Sequence, residues 1–206
     1  MNAAGLAVVE ITRLDDELLL PWLDLYETAF PPAQKVLVSH FLRLLQERAA
    51  GRHNGQLMLA AQDANGFAGL AFYQLLPEAA LAHLWYLAIA AERRGHHLGA
   101  ALYYEIVARV QRAGARALFL EVEDPAQATT AQQAALAVRR IGFYRRLGAR
   151  LLGGVHYLQY VGAHQPEIPM HLMAHTWPAA TPAWAYTEAK RLFGDFLSQT
   201  GELSLT

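Results

Sequence analysis

The 206-residue chain contains no cysteine. That absence excludes a disulfide scaffold, thiolate metal ligands and a thiol nucleophile, but it says little about compartment. Charge is also scarce: Asp, Glu, Lys and Arg make up 17% of the residues against 54% hydrophobic, and the formal net charge is -1. A basic nucleic-acid-binding surface and a disordered charged tail both need a different composition. No apolar run reaches the roughly 18 residues that would mark a membrane span. The opening stretch MNAAGLAVVEITRLDDE lacks the basic segment and long apolar region of a signal peptide. The expectation is a compact cytoplasmic protein with no nucleic-acid or membrane partner, long enough for one α/β domain with a full core.

Periodicity divides what is present into alternating elements. LAVVEIT reads as a strand, and DDELLLPWLDLYETAF as a helix interrupted or begun near Pro21 and ended by Pro31 and Pro32. The acidic residues flanking LLLPWLDLY favour a core stripe over a membrane surface. A second helix is expected from Gln34 to Ala49, with Val36, Leu37, Phe41, Leu44 and Leu45 at helical spacing. QLMLAAQ, the turn signal DANG and FAGLAFYQLL read as an antiparallel hairpin. LAHLWYLAIA is apolar enough for a strand buried on both faces.

The segment that follows, ERRGHHLGAALYYEI, carries the chemistry. A helix is expected from Leu98 to a left-handed cap at Gly114, and ALFLEVE begins another strand just beyond, which completes a βαβ unit. Residues 92 to 100 then sit where a strand ends and a helix begins, with free backbone N–H groups and the positive end of the helix dipole. Gly95 and Gly99 let a bulky phosphate approach, and Arg93 or Arg94 adds positive charge. A nucleoside-triphosphate loop needs G-x-x-x-x-G-K-[ST], and the required lysine is missing. A dinucleotide loop needs G-x-G-x-x-G; GHHLGA misses that spacing, although Glu121 falls where a ribose-binding acid would sit. The third pattern is R-x-x-G-x-G/A, which Arg94, Leu98 and Gly99 fit, with His97 in place of its first glycine.

Further along, Thr130 and Gln133 form a capping-box pattern, and the helix they begin ends in FYRRLGA. The order of elements, the RRGHHLG loop and the FYRRLGA close together resemble the GNAT superfamily of acetyl-CoA-dependent N-acetyltransferases over roughly residues 7 to 176. The resemblance implies a mixed, mostly antiparallel sheet with a central parallel βαβ unit and helices on both faces. It implies acetyl-CoA as co-substrate, with backbone amides of Gly95, His96, His97, Leu98, Gly99 and Ala100 on the pyrophosphate and Arg94 beside them. Leu87, Ala88 and Ile89 would lie along the pantetheine arm, one N–H polarising the thioester carbonyl. Tyr144 would protonate the departing thiolate. His97 in place of glycine, and Ala137 where many relatives have asparagine, are the departures from the pattern.

Tyr144 shares a helical face with Ala137 and Ile141, which is the inward one. For the base, a period of two places Glu121 and Glu123 on one strand face, at the end where ligands of parallel sheets bind, with Glu123 ahead; Glu78, Glu27 and His83 are further candidates. The histidines do not suggest a metal: His96 and His97 are adjacent, and His171 and His175 would lie about 13 Å apart in a strand.

Beyond residue 176, WPAATPAW reads as a linker and AYTEAKRLFGDFLSQ as an amphipathic helix with Tyr186, Ala189, Phe193 and Phe196 or Leu197 inward. That helix should dock on its own domain or on a partner subunit, as in a homodimer. The sequence thus points to acetyl transfer from acetyl-CoA to the amine of a small molecule or peptide. A non-catalytic acyl-CoA-binding domain and a dinucleotide-binding oxidoreductase are the rival readings.

Overall fold

A computed structural model describes residues 5–160 and 167–206. The chain falls into two compact units, Met1–Ala115 and Arg116–Thr206.

In the first unit, β1 (Ala7–Ile11), β2 (Gln56–Asp63), β3 (Gly66–Leu76) and β4 (Leu81–Ile89) pair antiparallel in sequence order. The hairpin between β2 and β3 turns where expected, with the Asn65 amide donating to the Asp63 carboxylate at 2.7 Å and Gly66 at φ +94. Helix α1 (Leu19–Ala29) buries Leu19, Trp22 and Tyr26, and α2 (Val38–Ala49) buries Phe41, Leu44 and Leu45. These side chains pack on Met58, Ala60, Leu70, Phe72 and Tyr86. Trp22 satisfies its buried indole by donating to the Leu59 carbonyl at 2.9 Å. Helix α3 (Leu98–Arg112) packs on β3 and β4, where Tyr73, on the alternate face to Phe72, has Glu105 and Arg109 as charged neighbours. Helices therefore cover both faces of this four-stranded array.

Helix α2 begins at Val38, not at Gln34 as the periodicity suggested. The backbone just before it is engaged elsewhere. Tyr26 donates its hydroxyl to the Val36 carbonyl at 2.8 Å, Tyr86 donates to the Gln34 carbonyl at 2.9 Å, and the Val36 amide donates to the Tyr86 oxygen at 3.1 Å. Two buried phenols thus take backbone groups that a helix would have paired internally.

In the second unit, β5 (Ala117–Glu123), β7 (Ile168–Thr176), β6 (Arg150–Gln159) and β8 (Leu197–Leu205) pair antiparallel in that order. Helix α4 (Ala131–Arg146) begins with the expected capping box: the Thr130 hydroxyl accepts from the Gln133 amide and the Gln133 side chain accepts from the Thr130 amide. Helix α5 (Pro182–Phe193) docks in cis, its Phe193 ring lying 4.8 Å from Tyr157 and 6.4 Å from Phe119. Ala189, Phe193 and Leu197 are buried as expected, whereas Tyr186 and Phe196 are only partly covered. The terminal strand β8 has no counterpart in the sequence reading, which ended in a helix. Its apolar pattern is weak, and it exists through main-chain pairing with β6. Gly154, at φ +77, permits that approach, since a Cβ there would lie 2.2 Å from the Glu202 carbonyl oxygen.

The mixed α/β class and the mostly antiparallel strands agree with the expectation, and β4, α3 and β5 follow one another in βαβ order. No helix among the described residues is long and apolar enough to cross a membrane.

Candidate active site

The glycine-rich loop begins where β4 ends. Leu87, Ala88 and Ile89 pair with Ala71, Leu70 and Gly69 of β3, and the Ala90 amide donates to the Ala68 carbonyl at 3.0 Å. A single 3-10 turn, Ala91–Arg93, then carries the chain to Gly95 at φ +85 and His97 at φ +59, directly before α3. A Cβ added at Gly95 would meet nothing within 4 Å, so space is open on that side of the backbone. Helix α3 has no side-chain cap, which leaves the amides of its first turn available for an anion.

The two arginines of this loop have different tasks. Arg93 is bound to the Asp63 carboxylate and points its guanidinium at the Asn65 and Phe67 carbonyls, each at 3.4 Å. It ties the loop to the β2–β3 turn, and it holds the Asp63 carboxyl below the usual range. Arg94 is exposed and anchored by its Nε on the Ile89 carbonyl at 3.1 Å. Of the two, Arg94 is the one that faces solvent. His96 and His97 are both exposed. Among the described residues, no three His, Asp or Glu side chains come together as a metal site.

His97 adopts a left-handed conformation that an ordinary L-residue reaches at a cost of about 1–2 kcal/mol. His97→Gly is therefore expected to leave the fold intact and to raise thermal stability by up to about 1 kcal/mol, measured by calorimetry.

The second unit holds the expected acid and base. On α4, Ala137, Ile141 and Tyr144 form the buried face, with Tyr144 7% exposed. Burial, reinforced by the nearby Glu123 charge and opposed by Arg140, pushes the Tyr144 phenol up to about 12. It stays protonated across the neutral range.

Glu121 and Glu123 share a strand face but not a setting. Both oxygens of Glu121 are occupied: Oε1 accepts from the Tyr157 hydroxyl and Oε2 from the Gln159 side-chain amide at 3.0 Å. Glu123 accepts from Arg140 through Oε1, while its Oε2 is buried with no hydrogen-bond partner among the described residues. Arg140, Tyr157 and Gln159 were missed by sequence reasoning. Arg140 stands four residues before Tyr144 and was legible as a neighbour, but Tyr157 and Gln159 come from β6 and meet Glu121 only through folding. Among the other candidate bases, Glu27 is paired with Lys35 at 2.5 Å, Glu78 is exposed, and His83 is 7% exposed on β4. The histidines of β7 are apart in role as well: His171 lies 3.2 Å from Asp124, and His175 is shifted below its usual range by burial.

Tyr144 is not alone in being held protonated. Tyr26, Tyr73 and Tyr157 are also raised, in each case chiefly by burial. A folded pKa above the unfolded one adds stability below the unfolded value near 10 and loses it as pH climbs toward the folded value. Ultraviolet phenolate titration is expected to show these four tyrosines ionising only together with unfolding.

The sequence matches the model of the acetyltransferase (GNAT) family over residues 19–149. Among curated proteins, none matches. Several solved structures are similar in fold. A protein from Bacteroides thetaiotaomicron assigned to the GNAT family is 21% identical, with a TM-score of 0.67 over 91% of this chain and 98% of that one. The ribosomal-protein-S18-alanine N-acetyltransferase of Escherichia coli is 18% identical, with a TM-score of 0.54 over 85% and 96%. A phosphinothricin acetyltransferase from Sinorhizobium meliloti, solved with acetyl-CoA, is 18% identical, with a TM-score of 0.56 over 84% and 88%. With more than half of its length matched by the family model and a fold shared with these enzymes, the chain belongs to the GNAT family of acetyltransferases.

Proposed function

We propose that the protein transfers an acetyl group from acetyl-CoA to a primary amine by direct attack. The observation that carries this reading is the uncapped start of α3, with the open left-handed loop and Arg94 beside it, in a chain of this family. Backbone amides from Gly95 to Ala100 bind the pyrophosphate and Arg94 adds a charged contact. Main-chain groups of Leu87, Ala88 and Ile89 line the pantetheine arm, and one N–H there stabilises the oxyanion.

The amine nitrogen attacks the thioester carbonyl, a C–N bond forms, and the C–S bond breaks. Glu123 takes the proton that the ammonium must lose, directly or through water; Tyr144 donates its phenolic proton to the departing thiolate and recovers one from the second proton that the new amide nitrogen sheds. The buried, unpaired Oε2 of Glu123 supports its rank ahead of Glu121, whose oxygens are both engaged. No cysteine is present to carry an acyl intermediate. A cytoplasmic setting suits this chemistry. The Escherichia coli and Sinorhizobium meliloti neighbours are named for a protein alanine and for phosphinothricin, so this fold serves both macromolecular and small acceptors.

Calorimetry tests the loop. Coenzyme A is expected to bind, NAD and ATP are not, and Arg94→Ala should weaken coenzyme A by about 1–3 kcal/mol, roughly 5- to 150-fold. A preference for NAD would overturn the reading.

A further inference from the structure

We propose that the acceptor is an aromatic primary amine, seated against the Trp85 indole where α2 crosses β4. This rests on the acetyltransfer reading above and adds the class of its acceptor. Strand β4 carries an extra residue: Phe72 pairs with Tyr86 and Tyr73 with Leu84, so Trp85 stands between them without a partner in register. In a regular strand Trp85 and Tyr86 would face opposite ways. The bulge turns both toward the cluster formed with α1 and α2. Trp85 lies two residues before Leu87, on the strand proposed to hold the thioester.

Three rings from three elements surround the indole. His40 of α2 lies nearly parallel to it at 6.5 Å, Phe72 of β3 meets it at 5.8 Å and 74°, and His83 of β4 lies at 5.3 Å. Trp85 Nε1 and His40 Nε2 are shielded from water and have no hydrogen-bond partner among the described residues. Both residues are nevertheless only partly buried, and the exposed part of the indole is where a ligand meets the pair. An indole N–H can only donate, and leaving it unmade in a covered position is costly. An oxygen placed in the plane of the ring satisfies it, and a flat apolar body carrying that oxygen packs against the surrounding rings.

Charge argues in the same direction. The groups that face His40 are Arg43 and Glu47 of its own helix and Gln56 of β2, which is hydrogen-bonded to it. Among these groups Glu47 is a single carboxylate set against Arg43, which leaves no net negative charge to pair with a second ammonium. Polyamines and aminoglycosides are therefore disfavoured, and an amine with a single charge on an aromatic body is favoured. The position of His40 is fixed from below, because Tyr26 and Tyr86 clamp Gln34 and Val36 immediately before α2.

The test is calorimetric titration of tyramine, phenethylamine and spermidine into the full chain loaded with coenzyme A. Both aromatic amines are expected to bind, tyramine the more tightly, and spermidine at least 10-fold more weakly. Trp85→Leu should weaken both aromatic amines 10-fold or more while coenzyme A affinity stays within about twofold of wild type. Trp85→Phe, which keeps a ring and loses only the N–H, should erase the preference for tyramine, and it serves if the leucine variant does not fold. No binding by either aromatic amine, tighter binding of spermidine, or affinities indifferent to both substitutions would overturn the proposal. Failure of coenzyme A to bind the wild type would instead count against the acetyltransfer reading, and the amine titration on the free chain then decides the Trp85 site by itself.

Discussion

Tyr144→Phe is expected to lower turnover on any accepted amine roughly 10²-fold while acetyl-CoA affinity stays close to that of the wild type. The substitution removes one hydroxyl and keeps a ring that packs with Ala137 and Ile141 on the buried face of α4, so stability should fall by no more than about 1–2 kcal/mol. The asymmetry between turnover and affinity is the point of the test. With its phenol pushed up to about 12, Tyr144 remains protonated at neutral pH and is a weak acid until negative charge develops on the sulfur. Its contribution is thus confined to the transition state, where the thiolate leaves. A domain that only binds acyl-CoA has no such step to lose. Steady-state kinetics beside calorimetry on the same preparation decide the matter, and wild-type turnover in the variant would make Tyr144 a core residue.

Glu123→Gln should cost roughly as much, again about 10²-fold in turnover, and should remove the acidic limb of the pH–rate profile. That limb reports protonation of the group that accepts the ammonium proton, and glutamine cannot titrate. Coenzyme A affinity should be nearly unchanged. Glu121→Gln is the matched control, because Tyr157 and Gln159 already hold both oxygens of Glu121. If that assignment is right, the Glu121 change acts mainly on stability and leaves the pH profile its shape. An acidic limb that survives in the Glu123 variant would move the search to Glu121 and then to Glu78, Glu27 and His83.

Much of this was legible in the sequence because the relevant signals are local. The hairpin at Asp63–Gly66, the capping box at Thr130 and Gln133 and the inward face of α4 each depend on residues a few positions apart. The division between Arg93 and Arg94 was not legible. Both are basic residues in one loop, and only the return of Asp63 from the β2–β3 turn assigns the first to structure. The start of α2 failed for a related reason: apolar spacing from Val36 onward is helical, but the hydroxyls of Tyr26 and Tyr86 outbid the helix for the Gln34 and Val36 backbone.

By itself the sequence determined the α/β class, the βαβ order around the glycine-rich loop, and the pairing of that loop with a helix ending in FYRRLGA, since periodicity, caps and motif spacing are properties of neighbouring residues. Tertiary structure decided the rest. It made a strand of residues 197–205 by pairing their backbone with β6, a bond-forming opportunity that no side-chain pattern announces. It set Glu121 and Glu123 in different environments although they share a strand face, because their partners come from β6 and α4. It also turned Trp85 toward α2 through a bulge, whose position depends on the register between two strands rather than on either strand alone.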